Sequence, residues 1–414
     1  MTHTAKALRP DSGLGFATLV LLPLALPLHA AAFSLLSQLA AAWLLLLSLG
    51  LLSTRSGLLS FGQALFAGLG AYAAAHAMNA IAAHGWPLPF ALVPLYAAVF
   101  AAAVALAVGP LCVRRGGLNF AMTTLSLGVL VALLAPMLQG FFGGEGGVAT
   151  DRTAGPAWLG LDLLSQRQVY GVSAAYVLLG AALLHRFDAS RLGLLARAVR
   201  DNPLRAACSG MAPRRVRLGV LLLSAALAGL SGGVQTLHVE QASAGGLGLQ
   251  QSSLVLLFSL AAGSGTVWGA LLAAVMMVGS QVWLATVSRA WMLDVALVFL
   301  AVVLWAPQGV SQALHDWALR LRASGQPDLW WGLAALLLCA ALAAGGAGSL
   351  IELLYALRQQ LHGGGMLQLY GLELRPDSAD VWVGAALFTV TAGGLAAVVG
   401  RRLSRQLRHV EVPR

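Results

Sequence analysis

This chain is short of charge. Asp, Glu, Lys and Arg make up 10% of its 414 residues, against 59% apolar. A soluble domain carries roughly 25% charged residues because its surface must meet water, so a water-soluble globule is excluded. Lysine is nearly absent, Lys6 being the only one, and the positive charge is carried by arginine. The three cysteines, Cys112, Cys208 and Cys339, show no CxxC and no paired spacing, which predicts neither a disulfide nor a metal site. No GxSxG, HExxH or GxxxxGK[ST] occurs. No catalytic residue is therefore expected, the chain reads as a non-enzyme, and it has no phosphate-cradling loop for ATP. His76, His84, His185 and His238 are too scattered to share a metal. Acids at mid-span are missing as well, with Asp294 read as interfacial beside Arg289. Proton- and sodium-driven carriers commonly keep acids at that depth, so their scarcity argues against ion coupling.

Long uncharged runs fill the space left by charge. They fall at roughly 14–33, 35–53, 60–82, 88–112, 117–139, 168–185, 218–238, 252–264, 267–286, 291–306, 329–347 and 380–400. About 20 apolar residues cross a bilayer as a helix. The expectation is an all-α polytopic membrane protein with about 12 hydrophobic segments. Pro23, Pro27 and His29 suit a turn between the first two. Lys6 and Arg9 before the first run resemble a secretory leader, but the run is too long for one, and an uncleaved first span is expected.

The net charge of +10 is a topology signal. Arginines cluster at the ends of apolar runs, the pattern of cytoplasmic loops, so membrane lipid is the expected surrounding and nucleic acid is not a partner. Alternating crossings put Arg55, Arg114, Arg115, the 186–217 loop, Arg320, Arg322 and the 401–414 tail on one side, with both termini cytoplasmic. The 252–264 segment is about 20 Å long as a helix, too short for a full crossing, and ends at Gly263-Ser264-Gly265. Two readings stay open: a broken helix beside a solute path, or a tight turn accommodated by tilt and local thinning.

The 186–217 loop carries eight arginines against Asp188 and Asp201. Arg191 to Arg200 reads as an amphipathic helix with Leu192, Leu195 and Val199 on one face. Asn202 is an N-cap, Pro203 a first-turn residue, Leu204 to Ser209 a second short helix, and Gly210 its left-handed terminus before Pro213. Such a pair either inserts its apolar face into a groove of a partner or rests on lipid headgroups through its arginines.

Four stretches carry a resemblance. Gly193-Leu-Leu-Ala-Arg-Ala-Val-Arg-Asp-Asn-Pro-Leu-Arg-Ala-Ala-Cys-Ser-Gly210 is similar to the cytoplasmic coupling loop of branched-chain amino acid ABC transporter permeases of the LivM type. Ser56 to Tyr72 resembles their early Gly-rich helix, Leu223 to Gly233 their small-residue helix, and Gly263 to Gly269 with Trp305-Ala-Pro-Gln-Gly309 their C-terminal signature. The resemblance covers roughly 35–312 and departs from the family in two ways. Ala207 and Cys208 stand where an acid is frequent, and about 100 further residues follow with two more spans.

The resemblance implies an ABC importer permease for branched-chain or related amino acids in a bacterial inner membrane. It implies a second LivH-type permease, two cytosolic ABC ATPases and a periplasmic solute-binding protein, with ATP used by the ATPases and no cofactor on this chain. Arg197, Arg200, Asp201, Asn202, Pro203, Arg205 and Gly210 become the expected ATPase-coupling residues. The domain reading is a permease domain over 1–312 and an extension over 313–414. Urea, short amides and aromatic acids stay open as cargo, and an ion-coupled secondary carrier or a membrane scaffold as other classes.

Polar residues inside the spans complete the candidates. Ser60, Gln63, Thr123, Thr124, Ser126 and Gln235 are able to line a solute path or to bond between helices. Gly68 and Gly70 are read as close helix contacts, and Gly143, Gly144, Gly146 and Gly147 as a mobile outer loop. Ser349-Leu-Ile-Glu352 reads as a capping box opening an amphipathic helix with Leu350, Leu354, Leu357 and Leu361 on one face.

Overall fold

The helix over Pro213–Val239 organises the fold because its glycines let two neighbouring helices approach its backbone closely. The computed structural model describes residues 10–85, 88–114, 116–154, 163–287, 291–305, 309–314, 367–369, 372–374 and 379–407, with scattered positions between 332 and 353. Its helices are α1 (Pro10–Ala25), α2 (Ala30–Ser56), α3 (Gln63–His84), α4 (Val93–Cys112), α5 (Leu118–Leu134), α6 (Gln139–Phe142), α7 (Gln166–Ala189), α8 (Arg191–Asp201), α9 (Pro203–Cys208), α10 (Pro213–Val239), α11 (Leu249–Ala262), α12 (Val267–Gly279), α13 (Ala285–Val287), α14 (Trp291–Trp305) and α15 (Ala379–Leu407). Among the described residues, seven helices are long and apolar enough to cross a membrane, or eight if the bent pair α5–α6 counts as one span. Gly15–Ala25, Leu249–Ala262 and Trp291–Val303 are shorter apolar helices. The protein is an all-α, multi-pass membrane protein. The 329–347 stretch lies largely outside the described residues.

Two compact units divide the chain, residues 1–278 and 279–414. In the first, α10 packs against α4, α3 and α2. A Cβ on Gly229 would stand 2.6 Å from Ala97 O, and one on Gly233 2.6 Å from Pro94 Cα. One on Gly70 would meet the Gly229 backbone at 2.6 Å, and one on Gly68 the Leu247 side chain at 2.5 Å. Small residues thus replace the missing hydrophobic drive between helices with close contact and hydrogen bonds. Ser224 donates to Ser48 O (2.8 Å), Ser231 to Ala41 O (2.7 Å) and Thr236 to Ala71 O (3.1 Å).

Helix ends follow local chemistry. Gly57 (φ +67°) ends α2 and Gly85 (φ +62°) ends α3, where only glycine adopts the left-handed turn without strain. The sequence-derived first span, 14–33, is corrected. Its helix stops at Ala25, and Ala30–Phe33 belong to α2, because Pro27 cannot continue the amide ladder. The 117–139 run likewise bends by 90° after Leu134, next to Pro136.

The loops around residues 143–154 and 239–248 are closely fitted to each other. Val148–Ala149 (β1) pairs antiparallel with Gln241–Ala242 (β2), and a Cβ on Gly147 would strike Ala242 O at 2.1 Å. The glycines expected to make a mobile loop form a closely fitted turn in this structure. Arg152 pairs with Glu240 at 2.9 Å and donates to His238 O at 3.3 Å, capping α10 where Glu240 itself is left-handed (φ 60°). Asn79 donates to Ala149 O (3.1 Å), and Nε2 of His76 bonds Phe141 O (2.7 Å) beneath a cluster of Tyr72, Phe141 and Phe142. Thr153 donates to Asp151 from its hydroxyl (2.6 Å) and its N–H (2.8 Å), holding that carboxyl below its ordinary range.

The second unit holds a five-residue π turn at 280–284, α13, α14, the antiparallel pair Leu367–Leu369 (β3) and Leu372–Leu374 (β4), and α15. Asp294 is buried within the chain and stands beside Gly348. Arg289, its expected neighbour, is outside the described residues. Ser349 does not open a helix. Gly348–Leu350 are already helical, and the hydroxyl donates back to Gly346 O (2.7 Å). Glu352 and most of the amphipathic stretch after it lie outside the described residues.

Candidate functional site

The basic loop is a hairpin of two capped helices. Ser190 ends α7 and starts α8: its hydroxyl donates to Phe187 O (2.7 Å) and accepts from Gly193 N (3.2 Å). Gly193 is required there, since a Cβ would lie 2.1 Å from Phe187 O. Asn202 caps α9 by accepting from Arg205 N at 2.9 Å, with Pro203 at the first helical position. Gly210 turns left-handed at φ +80°, and Pro213 opens α10. Asn202→Ala is expected to cost about 1 kcal/mol of local stability. Hydrogen exchange of the Arg205 amide should rise several-fold while that of α10 is unchanged.

One sequence expectation reverses. Leu192, Leu195 and Val199 do not offer a face to a partner. Val199 is buried and Leu192 packs on Gly219, because α8 lies against the bundle and its apolar stripe finds cover in its own chain. The outward leucines are Leu194, 64% exposed, and Leu204, 77% exposed. Arg191, Pro203, Arg205, Ala207 and Cys208 are exposed beside them.

The base of the hairpin is fastened by arginines. Arg197 donates to Asp188 O at 3.1 Å. Arg200 donates to Thr54 O, packs against Gly57 and pairs with the exposed Asp201 at 3.2 Å. Arg55 binds both oxygens of Asp188, each at 2.7 Å. Thr54, Arg55 and Asp188 were missed as site residues. No signal in a single sequence joins positions 133 apart, and Arg55 had registered only as a topology marker.

The polar residues of the spans divide into two groups. Gln63 Nε2 donates to Ser48 Oγ (2.7 Å) and Ser224 Oγ (2.9 Å), whose own protons go to backbone carbonyls. Its orientation is thereby set, and its buried Oε1 is left without a hydrogen bond. Ser60 is buried and accepts from Gly62 N (3.3 Å). Thr123, Thr124 and Ser126 each donate to a carbonyl of their own helix. Ser126 and Gln235 are exposed, so they do not share an enclosed wall with Gln63. An open groove of about 540 Å³ lies between α1 and the first half of α7, lined by Leu24, Ala91, Leu92, Val172, Tyr176 and Arg167, at the far end of α7 from the hairpin. No cluster of three His, Cys, Asp or Glu able to hold a metal occurs among the described residues.

A model of the permease component of branched-chain amino acid transport systems matches residues 31–307, which contain the hairpin, α10 and the α11–α12 break. The chain belongs to that family. Two relatives are named high-affinity branched-chain amino acid transport system permease protein LivM. The one from Escherichia coli (strain K12) is 26% identical over 278 residues, and the one from Salmonella typhimurium (strain LT2) is 26% identical over 279. Each match covers 62% of this chain and 64% of the relative, so the chain spans less than two thirds of either. No solved structure matches. Family membership gives the hairpin a context: it sits within the region that matches the permease component, while residues beyond 307 fall outside the match.

Proposed function

We propose that this permease is the membrane subunit of an ABC importer for branched-chain or related amino acids in a bacterial inner membrane. Both termini and the hairpin are cytoplasmic. Two ABC ATPases dock on the hairpin, a LivH-type permease pairs with the spans, and a periplasmic binding protein delivers the solute. ATP is used by the ATPases, and this chain binds no cofactor. The observation that carries the reading is the hairpin: two capped helices with leucine and arginine outward and a base tied to α2 and α7. Such an element passes motion of a docked partner to the bundle, which then opens to alternate sides. Arg197 and Arg200 serve its base, while Asp201, Asn202, Pro203, Arg205 and Gly210 shape or border its outer surface.

Within the bundle, we take Gln63 and Ser60 as the candidates to meet a zwitterionic solute, Gln63 through its unbonded Oε1. Thr123, Thr124, Ser126 and Gln235 are secondary members of that path. The part beyond 312 is an appendix to the transport unit. In proteoliposomes the whole assembly should take up leucine only with ATP on the hairpin side and binding protein on the other. An ATPase subunit lacking its catalytic carboxylate should abolish uptake. Uptake by the lone chain under a proton or sodium gradient would replace this reading with a secondary carrier. Preference of the assembly for urea, a short amide or an aromatic acid over leucine would change the cargo and keep the mechanism.

A further inference from the structure

We propose that Arg55 is the positioning residue that links the basic hairpin to the break between α11 and α12, an inference that rests on the importer reading above. Its guanidinium uses every edge. Nε and Nη2 hold the two oxygens of Asp188 at 2.7 Å each, at the foot of the hairpin. Nη1 donates to Gly265 O at 2.9 Å and to Thr54 Oγ1 at 3.1 Å. The group is well covered, with 11% side-chain exposure for Arg55 and 29% for Asp188. A planar fork with five donors meets this set of acceptors, and a lysine ammonium does not.

The break that Arg55 reaches is wedged into α2. A Cβ on Gly50 would lie 2.2 Å from Ser264 O, and one on Gly265 would lie 2.8 Å from Thr54 Cγ2. Thr54 Oγ1 donates to Gly50 O (2.6 Å), and Trp43 Nε1 donates to Val267 O (3.1 Å) at the start of α12. The hydroxyls of Ser259 and Ser264 bond across the turn itself. The break is thus held to α2 by backbone contacts that leave no slack, and tightly packed interiors shift between discrete arrangements instead of deforming smoothly. The hairpin reaches the same end of α2 through Arg200 on Thr54 O and through Asp188. Motion at the hairpin therefore arrives at Gly263–Gly265, the turn that separates α11 from α12.

The competing role for Arg55 is an anchor that holds the end of α2 at the interface, and two variants separate it from a link. Both use the complete transporter, with second permease, ATPases and binding protein, in proteoliposomes. Arg55→Gln should lower uptake per ATP hydrolysed about tenfold, with ATP hydrolysis itself within about twofold of the parent. The second variant adds Thr54→Cys and Gly265→Cys to Arg55→Gln, with Cys112, Cys208 and Cys339 replaced by serine. A Cβ at 265 stands 3.5 Å from Thr54 Cβ, within disulfide range. The carbonyl of residue 54 still accepts from Arg200, so oxidation reconnects hairpin and break without Arg55. Oxidation should restore uptake per ATP, and a reductant should remove it again. The link is overturned if Arg55→Gln couples as the parent does, if uptake and hydrolysis fall in proportion, or if oxidation leaves the defect in place. ATP-independent uptake by the unmodified assembly would instead overturn the importer reading.

Discussion

Gly232→Ala is expected to destabilise the protein strongly. The added Cβ would lie 1.9 Å from Ala67 O and 2.8 Å from Ala71 N, both backbone atoms of α3. A side chain steps aside, but a helix backbone moves only as a body. Relief requires parting α3 from α10, which would break the Thr236 bond to Ala71 O and the contact of Gly70 with Gly229. Overpacking usually costs 1–3 kcal/mol, and a backbone collision in the central seam belongs at the upper end, about 3 kcal/mol. That is a large part of the roughly 5–15 kcal/mol by which proteins are stable. The check is the monodisperse fraction and the melting temperature in detergent, beside Gly393→Ala in α15, where a Cβ meets nothing within 4 Å. The control should match the parent. A Gly232→Ala protein that also matches the parent would mean that α3 and α10 do not pack as described.

On the importer reading, Leu194→Glu together with Leu204→Glu should release the ATPases while leaving the permease folded. Both leucines are exposed on the hairpin, so the free permease loses no packing. In a docked complex each glutamate would be buried without a partner, and burying an unpaired charge is costly. About tenfold weaker association per site is expected, or roughly 1.4 kcal/mol each. The measurement is ATPase recovered with the affinity-purified permease and the Kd from titration. Leu192→Ala and Val199→Ala should act differently, loosening the hairpin from the bundle because their side chains face inward. If the exposed pair leaves association unchanged, the ATPases meet the chain elsewhere.

Much of this molecule was legible in its residues because the signals were local. Asn202 caps the helix that starts beside it, Pro203 has its φ preset for that helix, and Gly210 turns where a side chain would be strained. The apolar runs located the seven or eight candidate spans among the described residues for a similar reason, since each needs only its own length and the absence of charge; the remaining runs of the twelve are not confirmed as crossings. The order of motifs from Ser56 to Gly309 pointed to the family that the match over 31–307 shows.

Orientation had no local signal. The stripe of Leu192, Leu195 and Val199 required burial, but whether against a partner or against α10 depended on residues more than 20 positions away, such as Gly219. Arg55 and Asp188 come together only because α2 and α7 pack side by side. Asp294 is buried beside Gly348, a neighbour 54 positions away in the chain. Where helices begin and end is decided by hydrogen bonds within a few residues, which a sequence displays. What each helix face touches is decided by packing between segments far apart in the chain, and that only the tertiary structure settles.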